Sequence, residues 1–332
     1  MSQPPRFSLE NDTILVTGVQ GFIGIHTAAA GIRAGARIIG VDVMGQSDRA
    51  DRVRESLGCP PITIETLDLL DTETTARLLR EVRPFMIVHC AGSIERKTDA
   101  PPLSPARESN AVLTASLLDA LMALPETQRP ILVMPGSQME YGKAPMPWTE
   151  DRPCEPVNTY GAGKLAATKS VLEVAGKKKL RACVLRLPIV FGPGQPPLMF
   201  VPELIGKALR KEAVPMTAGD QRRAFVYVED AAELLLETAL RIAHSTPFPT
   251  LLNAPACPPM AILDVAHIIA DALNARDLLR VGACPKRPGE PLDAWPDTSL
   301  ATSLELTART PLAEALQKTI AWYQENPWFW EE

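Results

Sequence analysis

The stretch Thr13-Ile14-Leu15-Val16-Thr17-Gly18-Val19-Gln20-Gly21-Phe22-Ile23-Gly24 decides the fold. Its first five residues read as a short apolar strand, and glycines at 18, 21 and 24 carry the chain through a turn into a helix. Each glycine keeps a side chain out of a place where backbone and anion must come close. Gly18 suits the tight turn, Gly21 admits a pyrophosphate and Gly24 lets the helix pack, while N–H groups at the helix start face the anion. The spacing is GxxGxxG rather than GxGxxG. Asp42 follows the next strand, eighteen residues after Gly24, where a carboxylate meets the ribose hydroxyls of an adenosine. Its charge repels a 2′-phosphate and points to NAD rather than NADP. Arg33, Arg37 and Arg49 are the side chains near enough in sequence to soften that preference.

Outward from this turn, short apolar strands alternate with amphipathic helices. Strands are expected near 13–17, 37–41, 62–66, 86–90, 131–134 and 182–187, and a helix after Asp71, whose Asp-Thr-Glu-Thr start supplies capping side chains. That alternation predicts an α/β fold: a doubly wound, Rossmann-like parallel sheet covered on both faces. Beyond Leu187 the alternation breaks, and proline-rich connections separate helices near 201–211, 229–243, 262–273 and 311–324. The reading is a dinucleotide-binding domain over 1–187 and a smaller α/β substrate lobe over 188–332, with segments near 225–253 returning to the first domain.

Composition narrows the class. The 332 residues are 46% hydrophobic and carry a net charge of −5, so a large core is available and no basic field attracts nucleic acid. No secretion signal opens the sequence, and no apolar run reaches the ~18–20 residues that span a bilayer. The expectation is a soluble, cytoplasmic protein without a membrane partner. The six cysteines and four histidines show no metal-binding spacing, so no metal is expected.

Tyr160 and Lys164 stand four residues apart at the start of an expected helix and so share a face. An ammonium near a phenol favours the phenolate, which suits proton exchange at a carbonyl and alcohol pair. Ser137 follows the fifth expected strand, at the sheet edge where such folds bind ligands, and its hydroxyl can bond a substrate oxygen.

Taken together, these residues resemble the extended short-chain dehydrogenase/reductase family, which includes epimerases and reductases of nucleotide-linked sugars. The likeness rests on the cofactor turn, on Val88-His89-Cys90-Ala91-Gly92, on Ser137 with Tyr141-Gly142, and on Tyr160 with Lys164. It extends to Arg186 with Phe191-Gly192-Pro193-Gly194, to the run from Arg223 to Asp230, and to Arg287-Pro288-Gly289-Glu290 through Asp297. The resemblance implies that Ser137 and Tyr160 contact the reacting oxygen while Lys164 holds the nicotinamide ribose and tunes Tyr160. It implies that Asp68 and Leu69 flank adenine, and that Phe22, Ile23, Ala91, Gly92 and Leu187 help to line the NAD site. Substrate contacts fall to Ser93, Ser137, Gln138, Met139, Arg223 and Arg287, the two arginines gripping a diphosphate. It further implies a homodimer formed through the helices starting near Asn110 and Tyr160, where Ala162, Ala166 and Ala167 allow close packing.

Four positions depart from the family pattern. Gln138 and Met139 replace the Asp-Glu pair with which dehydratases remove water, so 4,6-dehydration is not expected. Glu140, which directly precedes Tyr141, is read as a loop residue or as one standing behind those that touch the substrate. Ile189 replaces an asparagine on the phosphate side, and Gly163 a serine. The leading expectation is a 4-epimerase or keto-deoxysugar reductase acting on a nucleotide-linked sugar. The alternatives are an NAD-dependent dehydrogenase of a free sugar acid or other small hydroxy compound, and a non-catalytic NAD-sensing module. Arg223 beside Glu229 and Asp230, and Arg287 beside Glu290, also fit plain surface ion pairs.

Overall fold

Elements β1 (Thr13–Thr17), α1 (Phe22–Arg33), β2 (Arg37–Asp42), α2 (Asp48–Ser56), β3 (Thr63–Thr66), α3 (Thr72–Val82), β4 (Met86–His89), α4 (Pro105–Met122), β5 (Ile131–Ser137), α5 (Thr159–Lys178) and β6 (Ala182–Leu187) alternate along the first part of the chain. The computed structural model describes residues 7–92, 105–178, 180–245, 247–286 and 291–330. Ser93, Arg96, Lys97 and residues 287–290, with Arg287, lie outside the described residues. The cap expected at Asp71 forms, its Oδ1 accepting the Thr74 N–H at 3.0 Å.

Period-two burial explains why the sheet is covered twice. Ile14, Val16 and Val88 turn to one face and meet Ala28 of α1, while Leu15, Ile87 and Leu132 turn to the other and meet Leu79, Leu117 and Val171 of α3, α4 and α5. All strand pairs in this sheet are parallel, in the order β3-β2-β1-β4-β5-β6 with one more strand beyond β6. The order reverses between β1 and β4, which opens a crevice at the carboxyl ends of those strands. β5 runs to Ser137 rather than ending near 134, because its pairing with β6 continues to Ser137 opposite Leu187.

Beyond β6 follow β7 (Ile189–Phe191), α6 (Phe200–Leu209), β8 (Val214–Met216), β9 (Arg222–Arg223), β10 (Phe225–Tyr227), α7 (Val228–His244), β11 (Leu251–Asn253), β12 (Met260–Ala261), α8 (Ile262–Ala272), β13 (Leu279–Val281), β14 (Asp293–Ala294), α9 (Ser299–Ser303) and α10 (Leu312–Glu325). β11 is the seventh strand of the large sheet, with Leu251 opposite Val184 of β6. With that edge taken, β10 pairs instead with β7 in a separate two-stranded sheet. Its Phe225 and Tyr227 pack with Phe191 in a second core built from α6, α8 and α10. Helix α7 lies on the large sheet beside α1, burying Leu234, Leu235 and Leu236. No helix among the described residues is long and apolar enough to cross a membrane.

The later elements are tied back to the first helices by specific contacts. His26 Nε2 of α1 lies 2.9 Å from the Pro193 carbonyl. Trp322 Nε1 donates to Ser56 Oγ at 2.9 Å. The guanidinium carbons of Arg49 and Arg52 in α2 sit 4.2 and 3.9 Å from the ring centroids of Phe329 and Trp328, cation–π contacts worth about 0.5–1 kcal/mol each.

Burial holds two histidines neutral. For His26, burial and then the nearby Arg33 charge outweigh the opposing Pro193 bond and bring the pKa from 6.5 to about 4, and for His89 burial and then the Lys164 charge bring it to about 3. Below about pH 6.5 the unfolded chain takes up protons that the folded state refuses, so stability falls as pH drops. The His26 contribution is on the order of 3 kcal/mol between pH 6.5 and 4. The urea midpoint is expected to fall steadily from about pH 6.5 to about pH 4, and His26→Gln to flatten that slope; a flat profile in the unsubstituted chain contradicts the assignment.

Candidate active site

The glycine turn closes on the crevice between β1 and β4. Gly18 adopts φ +63° and donates its N–H to the Val41 carbonyl at 2.8 Å, and a Cβ there would lie 2.6 Å from Ala91 Cα. A Cβ on Gly24 would strike the Gly18 carbonyl oxygen. Gly21 differs, since its Cβ would meet only that oxygen, at 3.2 Å. The protein's own packing therefore crowds Gly21 much less than Gly18 or Gly24 and leaves room beyond that one contact. Helix α1 starts at this point with no side-chain cap and no acidic residue in its first turn, so its leading N–H groups suit an anion. Phe22 and Ile23 occupy that first turn half-buried, Phe22 edge-on to His26.

Gln20 binds the turn to the loop after β2. Its N–H donates to Asp42 Oδ2 at 3.1 Å, its Nε2 to the Met44 and Gly45 carbonyls, and its Oε1 accepts the Ser47 N–H. Asp42 also accepts the Met44 N–H at 3.3 Å, which keeps its half-buried carboxylate beside the turn. Arg49 stacks on Phe329 as described. Asp68 is exposed and folds onto the Leu70 N–H at 2.9 Å, while the Leu69 side chain enters the core with α3 and α4.

A buried relay supports the loop after β4. Thr114 Oγ1 donates to the Asn110 carbonyl at 2.8 Å and lies 3.1 Å from His89 Nε2, while His89 Nδ1 lies 2.8 Å from Thr17 Oγ1. Neutral His89 therefore carries its proton on Nε2, an assignment made from the network, and accepts the Thr17 hydroxyl proton. Thr17 Oγ1 in turn accepts the Ala91 N–H at 3.3 Å. Gly92 follows, with no space for a Cβ against Asn110 Oδ1.

At the end of β5 the catalytic candidates assemble. Ser137 Oγ accepts the Met139 N–H at 3.2 Å, which leaves its own proton for another acceptor. Gly161 of α5 packs against the Met139 carbonyl, where a Cβ would collide, and its N–H is capped by Asn158 Oδ1 at 2.8 Å. This contact sets the half-buried Tyr160 beside the turn that follows Ser137. One helical turn on, Lys164 is 9% exposed and donates from Nζ to the Pro135 carbonyl at 3.0 Å. Its charge reaches His89 and Cys90, whose thiol is pushed up to about 12 by burial first. Leu187, opposite Ser137 on β6, is buried in the core shared with α7.

Of the two places expected for Glu140, it takes the one behind the site, accepting the Ser137 N–H. It is fully buried in a single 3-10 turn, Gln138–Glu140, and pairs with Arg186 Nε at 2.9 Å. The sequence signal for it was Arg186 itself, a charge at the centre of an apolar strand that needs a buried partner. The Thr17–His89 contact was missed too; its signal was two polar residues ending adjacent parallel strands in register.

Arg223 lies in the second lobe, 8% exposed, donating from Nη1 to the Arg222 and Leu292 carbonyls at 2.7 and 3.1 Å and from Nη2 to the Pro291 carbonyl at 3.0 Å. It thereby fixes the 291–293 segment, which with the 142–146 loop and Trp148 lines an open cleft of about 400 Å3. Asp230, considered as its partner, accepts from the Thr310 N–H at 2.9 Å. Gln138 and Met139 are buried and half-buried on the turn, and Ile189 is half-buried in β7.

The chain is similar to known proteins over most of its length. It is 26% identical over 324 residues to a trifunctional UDP-glucose 4,6-dehydratase/UDP-4-keto-6-deoxy-D-glucose 3,5-epimerase/UDP-4-keto-L-rhamnose-reductase of Arabidopsis thaliana, matching 96% of this chain but 48%, about half, of that longer protein. It is 28% identical over 226 residues to a UDP-glucose 4-epimerase of Mycolicibacterium smegmatis, covering 66% of this chain and 70% of that one. The crystal structure of a dTDP-glucose 4,6-dehydratase from Streptomyces venezuelae with NAD bound shares the fold, with a TM-score of 0.82, 24% identity, and coverage of 96% and 99% of the two chains. The family model described as "NAD dependent epimerase/dehydratase family" matches residues 14–247, and the chain belongs to that family of extended short-chain dehydrogenase/reductase enzymes.

Proposed function

We propose that this chain binds NAD and uses it to move hydride at a carbon of a nucleotide-linked sugar, as a 4-epimerase or a keto-deoxysugar reductase. The observation that carries this reading is the packing of α5, which carries Tyr160 and Lys164, against the end of β5 and the turn after Ser137. These elements meet through the Gly161–Met139 contact and the Lys164–Pro135 bond. The residues present fit the cofactor: room above Gly21, an uncapped α1 start and an aspartate at the end of β2 are the features a dinucleotide needs. Bound cofactor would supply the hydride chemistry that the side chains lack, NAD taking hydride and returning it in a 4-epimerase and NADH giving it in a reductase. Ser137 donates a hydrogen bond from its hydroxyl to the reacting oxygen, and Tyr160 exchanges the single proton with that same oxygen. Lys164, anchored on Pro135, holds the ribose side of the site.

Dehydration is not part of this proposal. Gln138 and Met139 have no titratable group, and the one carboxylate of the turn, Glu140, is committed to Arg186 and the Ser137 amide. A second reading, a dehydrogenase of a free sugar acid or other small hydroxy compound, is favoured by Ile189 and by the carbonyl bonds of Arg223, which together weaken the case for a diphosphate grip. A homodimer through α4 and α5, with exposed Val112 on its face, and a cytoplasmic location remain part of the proposal.

Tyr160→Phe is expected to keep NAD-induced thermal stabilisation and to lower turnover by ~100-fold or more; near-normal turnover removes Tyr160 from the chemistry. Gly21→Ala is expected to abolish stabilisation by NAD while changing the melting temperature of the ligand-free protein little. Gly24→Ala is expected instead to destabilise the fold itself by about 1–3 kcal/mol, because its methyl meets backbone. Equal melting temperatures for the two variants contradict this division.

A further inference from the structure

Pro135, Gly136 and Ser137 end β5, and each is engaged by a different part of the site. The Pro135 carbonyl accepts from Lys164. The Ser137 N–H donates to Glu140 Oε1 at 2.8 Å, so that Ser137 and Glu140 cap each other across the turn. Gly136 does not have a left-handed backbone; what it provides is space. A Cβ there would lie 2.8 Å from Glu140 Oε1 and 3.2 Å from Arg186 Cγ.

Glu140 Oε2 receives Arg186 Nε at 2.9 Å, with both side chains at most 3% exposed. Arg186 is itself held on β6, with its guanidinium carbon 4.5 Å from the Tyr141 ring centroid and Nη2 3.2 Å from Cys154 Sγ. Burial opposes its charge, but Glu140, then Tyr141 and Cys154, raise its pKa on balance, so Arg186 stays charged. Tyr141, whose own hydroxyl is pushed up to about 12 by burial, stays protonated and lies 2.7 Å from Asn253 Oδ1 on β11. A rigid path thus runs from β11 and β6 to the amide of Ser137. A buried ion pair adds little stability over an apolar pair of similar volume, so stability alone does not explain a charge pair set against this one amide.

We propose that the buried Glu140–Arg186 pair is a positioning device for Ser137. It fixes the backbone at the end of β5 so that the Ser137 hydroxyl faces the reacting oxygen. Neither residue touches substrate; both act through Ser137. This inference rests on the functional reading above, in which Ser137 bonds the reacting oxygen.

The test replaces the pair as a unit, Glu140→Val with Arg186→Met, in the full chain and again in a Ser137→Ala background. The readouts are thermal melting, NAD binding, and kcat and KM for 4-epimerisation of UDP-glucose or dTDP-glucose, followed as the epimer formed, or for NADH consumed with a nucleotide-linked 4-keto-6-deoxysugar. The double replacement avoids the unpaired buried charge that either single variant would leave. Melting temperature, NAD affinity and KM are expected to change little, while kcat falls by ~10- to 100-fold, the cost of a misplaced catalytic group. In the Ser137→Ala background the same replacement is expected to lower kcat by less than about twofold, because both changes remove one function. A kcat within about twofold of the starting value, or an equal loss with and without Ser137, overturns the positioning role and leaves the functional reading standing. Full activity of Ser137→Ala alone overturns the functional reading, and the positioning role with it.

Discussion

The backbone of Gly18 lies against the backbone of Ala91, and the rest of the site depends on that approach. It occurs where the strand order of the sheet reverses, between β1 and β4, so the turn after one strand and the loop after the other form a single wall. Any side chain at 18 would drive the walls apart. The Thr17–His89–Thr114 relay, neutral because His89 is buried, holds the second wall from behind. The same constraint places the end of β5, one strand further along, within reach of whatever the glycine turn holds.

Around this fixed wall the chain uses buried polar contacts in place of bulk. Lys164 reaches Pro135, Glu140 reaches the Ser137 amide, and Asn253 donates to the Trp148 and Asp297 carbonyls while its Oδ1 meets Tyr141. Each of these groups is costly to bury unpaired, so each specifies one geometry and disfavours its neighbours. Arg49 and Arg52 on the C-terminal aromatic rings, with His26 on Pro193, carry that order across to the second core.

What the sequence made legible follows from how local the signal is. The glycine turn, the Asp71 cap and the strands of the large sheet were readable because period-two burial and capping act within a few residues. β10 was not, because its place was decided by competition: β11 took the edge of β6, and Phe225 and Tyr227 found Phe191. Glu140 was left open between a loop and a supporting place behind the site, because its partner, forty-six residues on, cannot be read from its neighbours. Tyr160 and Lys164 were legible as a pair, but the contact that aims them, Gly161 against the Met139 carbonyl, is a property of two elements that only the fold brings together. Arg223 shows the reverse case, in which a residue type suited to phosphate spends its donors on backbone carbonyls.

The central claim is that the site is built for NAD together with a nucleotide-linked sugar. The most direct measurement is the melting temperature of the full chain with NAD or NADP, each alone and then with UDP-glucose, dTDP-glucose, free glucuronate or free gluconate. The structure leads us to expect stabilisation by NAD over NADP, and further stabilisation by at least one of the two nucleotide sugars but by neither free acid. Stabilisation by a free sugar acid with none by either nucleotide sugar would contradict it.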